Sequence, residues 1–490
     1  MNDPWHKSRR PQNSFRKHQQ SPSRNSQTPG PSTPLLAPVP FENGRVLAWA
    51  ALQESDRTGC FLQDTLASLE HCHQLSYPER ALAVDITSSV TRRSRTLDFL
   101  IAACLARPLE NTEPELLQVL RIGVCQLLFG RTPPHAAVSS TVELCRSLHR
   151  DRWTGFVNGI LRTVSRLLLD QPTSHPSTSS LPTNNGQWLA LNKPLLPDPS
   201  LHPAEWFGIA FSFPPSLAER WVRTLSPEEQ IQAGFFFNSP PRTTLRINPL
   251  RNSRQQLQQL LESAGYAPVP GRLDSSLHLS HPGNPELLPG FNEGLWTIQD
   301  EAAQHAAKLL NPQPGESILD LCAAPGGKST HLAELSGDHA QIIACDVSHT
   351  RLERIKQNIQ RLQLSSIQLC LISREGEGIP PVLFDAALVD VPCSNTGVLH
   401  RRPEARWRFN PADLSELTTL QTRLLISAAQ HLRPGGRLLY STCSLEPEEN
   451  TGVIQTALNL LPHFKLVSQI LHKPGNPADG AFQALLERSP

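Results

Sequence analysis

The stretch ESILDLCAAPGGKST, residues 316–330, decides the fold. An apolar run ends at Leu321 in a loop of small residues, and KSTHLAEL then begins a helix. Ala323, Ala324, Gly326 and Gly327 leave room for a ligand to approach the backbone, and the start of the helix offers free amide groups. Working outward, QIIACDV predicts a second strand and HTRLERIKQNIQRL a helix; LFDAALVDVP, LTTLQTRLLISAAQHL and GGRLLYSTC continue as strand, helix and strand. This alternation predicts a parallel sheet with helices on both faces over 301–490, whose ligand crevice lies beyond the carboxyl ends of the strands. The second strand ends at Asp346, an acid placed to hydrogen-bond two ribose hydroxyls. The spacing is neither G-x-G-x-x-G nor G-x-x-x-x-G-K-[ST], which disfavours NAD and ATP. The residues alone say "nucleoside cofactor", against the plainer reading of a structural turn with a capping acid.

Two thiols belong to the same crevice. Asp390-Val391-Pro392-Cys393-Ser394-Asn395-Thr396-Gly397 follows one buried strand, and Ser441-Thr442-Cys443-Ser444 follows another. Pro447-Glu448-Glu449 then begins a further helix. Free cysteines are usually small buried hydrophobes. That reading is kept for Cys60, Cys72, Cys104, Cys125, Cys145 and Cys370. Cys393 and Cys443, at strand ends beside Asp390, are the exceptions.

Towards the N-terminus, residues 204–300 mix helices (SLAERWVRTL, RQQLQQLLESAG) with short strands (TTLRIN, LHLS), as expected of a small α+β accessory region. Residues 171–203, rich in Pro, Ser, Thr and Asn, are expected as a loosely tethering linker. Between 41 and 170 apolar residues recur at spacings of three and four with no strand alternation, which predicts an all-helical domain. Its Arg92, Arg93 and Arg95, and its Arg146, Arg150 and Arg152, are read as solvated faces in preference to RNA sites. His135, in PPHAA, is read as a helix-start residue and not a catalytic base. Residues 1–40 carry eight Pro, six Lys or Arg and one acid, and are expected to be a disordered basic tail.

Composition narrows the classes. With 490 residues there is room for roughly three domains. The net charge of +1 excludes a partner held by bulk charge, so any nucleic-acid surface is a local patch. Ten cysteines without a C-x-x-C, and no secretory signal at the start, favour free thiols in a reducing cytoplasm, without a metal. No apolar run is long enough for a membrane helix. A monomer is expected.

LCAAPGGKS, DVPCSNTGV and YSTCSLEPEEN together resemble the RNA 5-methylcytosine methyltransferases. TPPHAAVSSTVELCR and FVNGILR are similar to the NusB-like domain fused to one bacterial branch, the RsmB/Sun/Fmu family, which acts on small-subunit ribosomal RNA. The resemblance covers about 41–170 and 215–490. It implies an all-α NusB-like domain that binds RNA, followed by an α/β Rossmann-like methyltransferase domain. It implies S-adenosylmethionine as methyl donor and a cytidine in RNA as acceptor. Cys443 is then the nucleophile that adds to carbon 6, Cys393 helps release the product, and Asp390 hydrogen-bonds the base. Cofactor contacts carry over to Cys322, Ala323, Ala324, Pro325, Gly326, Gly327, Lys328, Asp346 and Asp390. Leu245-Arg246-Ile247-Asn248 matches an element that helps bind RNA, and Arg401, Arg402 and Trp407 match a segment near the substrate, where Arg suits phosphate and Trp can stack on a base.

Four departures stand out. The family's acid after the third strand of the sheet is missing from LCLISREGEGIP; Glu375 and Glu377 are the acids nearby, and neither is assigned its role. Val391 and Asn395 replace Ala and Gly in the D-A-P-C-S-G-T-G pattern, Asn395 adding a side chain beside the second thiol. VDITSSVTRRSRTLD replaces an acidic, Gly-containing stretch of the helical domain. Two other readings stay open: the same chemistry on tRNA or another RNA, and a non-enzymatic RNA-binding module with a decayed methyltransferase half. The second would not bind S-adenosylmethionine.

Overall fold

The computed structural model describes residues 43–490 except 71–74, 174, 281–282, 375 and 476–477. The tail expected over 1–40, and Cys72, lie outside the described residues. Among the described residues six helices come first: α1 (Gly44–Thr58), α2 (Leu62–Glu70), α3 (Tyr77–Ala102), α4 (Pro114–Phe129), α5 (Pro134–Ser147) and α6 (Thr154–Leu167). Asn43 caps α1, its side chain accepting from the amides of Arg45 and Val46. Buried positions run round α4, from Leu116 to Leu127, so it sits inside the bundle. A Cβ on Gly123 would stand 2.8 Å from Thr141 and 2.9 Å from Leu161, so α4 lies backbone-close to α5 and α6. Among the described residues no helix is long and apolar enough to cross a membrane.

The segment 171–203 is not a loose tether. Strands β1 (Leu168–Thr173), β2 (Ser180–Pro182) and β3 (Trp188–Leu191) form an antiparallel sheet in the order β1-β3-β2. Leu181, Trp188, Leu191 and Leu196 are buried in one core with the aromatics of α7 (Pro203–Ala210), α8 (Pro215–Thr224) and α9 (Pro227–Asn238). That core also takes Leu100 and Leu167 from the bundle, and Leu399, Ala405 and Phe409 from far downstream. The composition suggested a linker because polar and proline residues outnumber these few apolar anchors. Burying three tryptophans with the phenylalanines outweighs local composition.

The arginines of α3 belong to the same junction, and they are neither a solvated face nor an RNA site. Arg92 (5 % exposed) donates to the His400 carbonyl at 3.0 Å. Arg93 (1 %) donates to the Pro182 carbonyl and the Asn184 side chain. Arg95 reaches the Phe213 carbonyl at 2.7 Å. Each satisfies carbonyls that the junction would otherwise bury unpaired. Arg146, Arg150 and Arg152 are exposed, as expected, and so is His135 in the first turn of α5.

The accessory region divides between two neighbours. Helices α7–α9 join the junction just described. Strands β4 (Thr243–Ile247), β5 (Val269–Pro270), β6 (Ser276–Leu279) and β7 (Trp296–Ile298) form a sheet in the order β5-β6-β4-β7, with α10 (Arg254–Ser263) packed on it.

From here the expected alternation is present: α11 (Glu301–Leu310), β8 (Ser317–Leu321), α12 (Gly327–Leu335), β9 (Gln341–Asp346), α13 (His349–Leu362), β10 (Ile367–Leu371), β11 (Phe384–Asp390), α14 (Ala405–Arg408), α15 (Leu414–Gln430), β12 (Leu432–Thr442), α16 (Val453–Leu460), β13 (Phe464–His472) and β14 (Ala481–Arg488). The sheet order is β10-β9-β8-β11-β12-β14-β13. Strands β8 to β12 are parallel, as expected, but β14 is antiparallel to both β12 and β13, a hairpin edge the alternation did not foretell. The order reverses between β8 and β11, which opens a crevice at their carboxyl ends.

Candidate functional site

The loop after β8 is tightly determined. Cys322 and Gly326 have φ of 64° and 96°. A Cβ on Gly326 would stand 2.9 Å from the Ile355 side chain and 3.3 Å from its Cα, so only glycine suits both the conformation and the contact with α13. The Ala323 amide donates to the Cys345 carbonyl, the Ala324 amide to Asp346 Oδ2 (3.2 Å), and Asn358 donates to the Pro325 carbonyl. Asp346 Oδ1 accepts from the Val347 amide (2.8 Å) and pairs with Arg351 (3.2 Å). These three donors occupy most of the roughly four acceptor positions of a carboxylate. For two ribose hydroxyls to bind, the half-exposed Arg351 has to swing aside. A Cβ on Gly327 meets nothing nearer than Gln299, at 3.6 Å. An open, glycine-lined helix start beside an acid fits a nucleoside.

Below the loop lies a carboxyl that the sequence reading quoted but did not assign. Asp320 is fully buried; Ser329 donates to its Oδ2 at 2.6 Å, and its Oδ1 has no partner among the described residues. Burial, with Asp390 nearby, pushes its pKa up to about 7. Lys328 lies 2.6 Å from Asp390 Oδ2. Burial disfavours the ammonium, but Asp390 more than offsets this and holds it above the ordinary lysine value. Cys322 is pushed up to about 12, first by burial and then by Asp346, so it stays a thiol. Because Asp320 binds its proton more tightly folded than unfolded, its contribution to stability falls as pH rises from about 4 to about 7. Asp320→Asn is expected to flatten that fall, read by urea unfolding across the range; an unchanged slope would assign it to other groups.

The two thiols meet. Cys393 and Cys443, beyond the adjacent strands β11 and β12, have sulfurs 3.2 Å apart. The hydrogen bond with Cys443, together with burial, holds Cys393 well above the ordinary thiol value. Asn395 has φ of 61°, a left-handed conformation that asparagine tolerates better than most residues, which explains how it stands where the family has glycine. Its Oδ1 accepts from the Cys443 thiol at 3.2 Å, and its amide group donates to the Cys393 carbonyl at 2.8 Å. Val391 is buried, its amide bonded to the Ser441 carbonyl. The loop after β11 approaches the residue before β14 backbone to backbone: a Cβ on Gly397 would stand 2.2 Å from the Gly480 carbonyl.

The residue that ties both cysteine loops together, Glu449, escaped the sequence reading. It is fully buried and accepts from the Ser394 amide (2.9 Å), the hydroxyls of Ser394 and Ser444, and Gln421 (2.9 Å). Asn450 accepts from Thr442 and donates to the Ser444 carbonyl. Both lie in a π-helical turn, Glu448–Gly452, where an ordinary first helical turn was expected. Such turns are frequent at functional sites. The signal in the sequence was three acids among Glu446–Glu449, but nothing there distinguishes buried Glu446 and Glu449 from exposed Glu448.

Four of the five residues expected to face RNA are turned inward. Arg246 is fully buried, paired with Glu334 at 2.6 Å and donating to Gln299, Thr330 and the Gly327 carbonyl. Asn248 is fully buried and donates to the Gly294 carbonyl. Arg401 bridges Asp479 (2.6 Å) and Asp300 (3.3 Å). Trp407 donates to the Thr91 carbonyl of α3 at 2.7 Å, locking the junction with the bundle. Arg402 alone stays exposed, 3.4 Å from Asn395 Oδ1. It lines a cavity of about 190 Å³ with Cys393, Asn395, Arg408, Phe409 and, from the helical bundle, Phe61. Glu377 is exposed in the turn after β10, and Glu375 lies outside the described residues.

Comparisons with known proteins complete the picture. The family model described as 16S rRNA methyltransferase RsmB/F matches residues 307–485, and that of the NusB family matches 42–166. A probable ribosomal RNA small subunit methyltransferase B from Synechocystis sp. is 37 % identical over 427 residues, 85 % of this chain and 89 % of the relative. The ribosomal RNA small subunit methyltransferase B of Vibrio cholerae is 33 % identical over 91 % of this chain and 98 % of its own length. The crystal structure of PH0851 superposes with a TM-score of 0.70 at 26 % identity, covering 93 % of this chain and all of that one. A methyltransferase homolog from Pyrococcus horikoshii gives 0.53 at 29 % identity, over 60 % of this chain and all of its own.

Proposed function

Because the chain belongs to the 16S rRNA methyltransferase RsmB/F family and carries a NusB-family domain ahead of its methyltransferase fold, we propose that it methylates carbon 5 of a cytidine in small-subunit ribosomal RNA. The observation that carries this reading is the pair of sulfurs 3.2 Å apart at the ends of β11 and β12, above the nucleoside-type loop. S-adenosylmethionine, when bound, supplies an electrophilic methyl group. Cys322 to Lys328, with Asp346, would hold it at the helix start.

Carbon 5 of cytosine is a poor nucleophile. The Cys443 thiolate adds to carbon 6, and the electron pair released into the ring makes carbon 5 able to take the methyl group. Asp390, paired with Lys328, relays a proton to the ring nitrogen as negative charge develops there and takes it back when the ring is restored. The carbon 5 proton then leaves to a base. The carbon 6–sulfur bond breaks, which restores the ring and the thiolate. Cys393 suits that last stage. Its proton is held by the hydrogen bond with Cys443 and by burial. Once the Cys443 sulfur is bonded to carbon 6 it is a thioether, a weaker acceptor, and the hydrogen bond that holds the Cys393 proton weakens.

The test is methylation of purified small-subunit ribosomal RNA by the purified protein with S-adenosylmethionine, followed by bisulfite sequencing. One newly protected cytidine is expected. Protection only when tRNA is offered would move the target, and none on any RNA would overturn the reading. Cys393→Ala is expected to stall before release, giving a slow-migrating protein–RNA band on a denaturing gel. Normal turnover without that band would remove Cys393 from product release.

A further inference from the structure

The cavity beside Cys393 has an unexpected wall. Cys393, Asn395, Arg402 and Arg408 line it, and Phe61 reaches it from the turn between α1 and α2 of the helical bundle. The residues that follow Phe61 are conventional: Leu62 and Leu66 are each 5 % exposed in the bundle core. Phe61 itself is 41 % exposed.

The turn that presents it is clamped. Arg408 donates to the carbonyls of Gly59 (2.7 Å) and Cys60 (3.0 Å), and its guanidinium stands 4.0 Å from the Phe61 ring centroid. The Leu62 amide donates to the buried Glu404 carboxylate at 3.0 Å. These bonds hold an aromatic ring at the mouth of a cavity without covering it, which forgoes the burial that such a ring usually supplies. Arg408 stands over one face of the ring of Phe61, which is 41 % exposed and lines the cavity. The wall is cationic through Arg402 and Arg408; its one carboxylate among the described residues, Asp413, accepts from Asn410.

We propose that this cavity takes an unpaired nucleotide adjacent to the target cytidine, its base stacked on Phe61 and its phosphate met by Arg402. The helical domain would thereby supply a wall of the substrate site as well as general affinity for RNA. Single-stranded RNA is recognised by this combination of an aromatic platform and a nearby cation. The proposal rests on the RNA methyltransferase reading above.

The test measures RNA affinity and kcat/KM together for the full-length protein. Stacking on an aromatic is worth about 1–3 kcal/mol per base, or about 5- to 150-fold. Phe61→Leu, which keeps an apolar side chain but no stacking face, is expected to lose RNA affinity in that range with its melting temperature and S-adenosylmethionine binding unchanged. Phe61→Trp is expected to retain affinity. Arg402→Ala is expected to lower the slope of log affinity on log salt by about one, a change that Phe61→Leu does not make. A Phe61→Leu protein that binds RNA as well as the wild type, or an Arg402→Ala protein with an unaltered slope, would overturn the proposal. Should the wild type bind RNA through this cavity yet methylate none, the enzymatic reading fails and the nucleotide site stands.

Discussion

Cys443→Ala is expected to fold, to bind S-adenosylmethionine and to transfer no methyl group. The expected loss is on the order of 10⁶-fold, the scale seen when the nucleophile is deleted from a covalent mechanism. The fold tolerates the change because the loop does not depend on the thiol. Thr442 donates to Asn450, the Ser444 hydroxyl donates to Glu449, and the Gly397 amide donates to the Cys443 backbone carbonyl. Removing the sulfur also removes a partner of Cys393 and of Asn395 Oδ1, and both lie close enough to the cavity for water to replace it. Transfer of labelled methyl to RNA, with thermal unfolding as control, checks this. Activity within tenfold of the wild type would exclude Cys443 as nucleophile and leave Cys393 as the remaining thiol of the pair.

Arg246→Ala is expected to cost about 3–5 kcal/mol of stability, the range for removing one partner of a buried ion pair. Arg246 and Glu334 are both fully shielded from solvent. Burial already pushes the Glu334 carboxyl upward, and Arg246 is the main group holding it down. Without the guanidinium, Glu334 is left either charged and unpaired or protonated. Arg246 also donates to the Gly327 carbonyl and to Thr330 in the first turn of α12, so the nucleoside loop is expected to loosen with it. Urea unfolding gives the stability change and a titration with S-adenosylmethionine gives the loosening. Arg246→Met with Glu334→Leu is expected to recover much of the loss, since it leaves no charge buried. A protein of normal stability that binds RNA weakly would restore Arg246 to the RNA surface where its motif had placed it.

Much of the site is legible because its signals are local. A strand, a small-residue loop and a helix start occupy fifteen consecutive residues, and Gly326 has its left-handed φ there. The two cysteines follow apolar runs directly, so their placement at strand ends comes from the period of the side chains. The hairpin of β13 and β14 is the contrary case. KLVSQILH lies at the edge of the sheet with its side chains largely exposed, so its pattern of apolar and polar residues has no buried face to record.

The sequence by itself determined the α/β alternation, the helical domain ahead of it, the nucleoside-type loop, and two thiols and an acid at strand ends. Each depends on neighbours a few residues away. Only the tertiary structure decided which charges are hidden and what they hold. Arg246 finds Glu334 88 positions later, Cys393 finds Cys443 50 positions later, and Trp407 finds Thr91 316 positions earlier. A buried guanidinium and an exposed one are the same letter in a sequence. What separates them is whether a carboxylate or a row of carbonyls waits across the fold to repay the loss of water, and that depends on how distant segments pack.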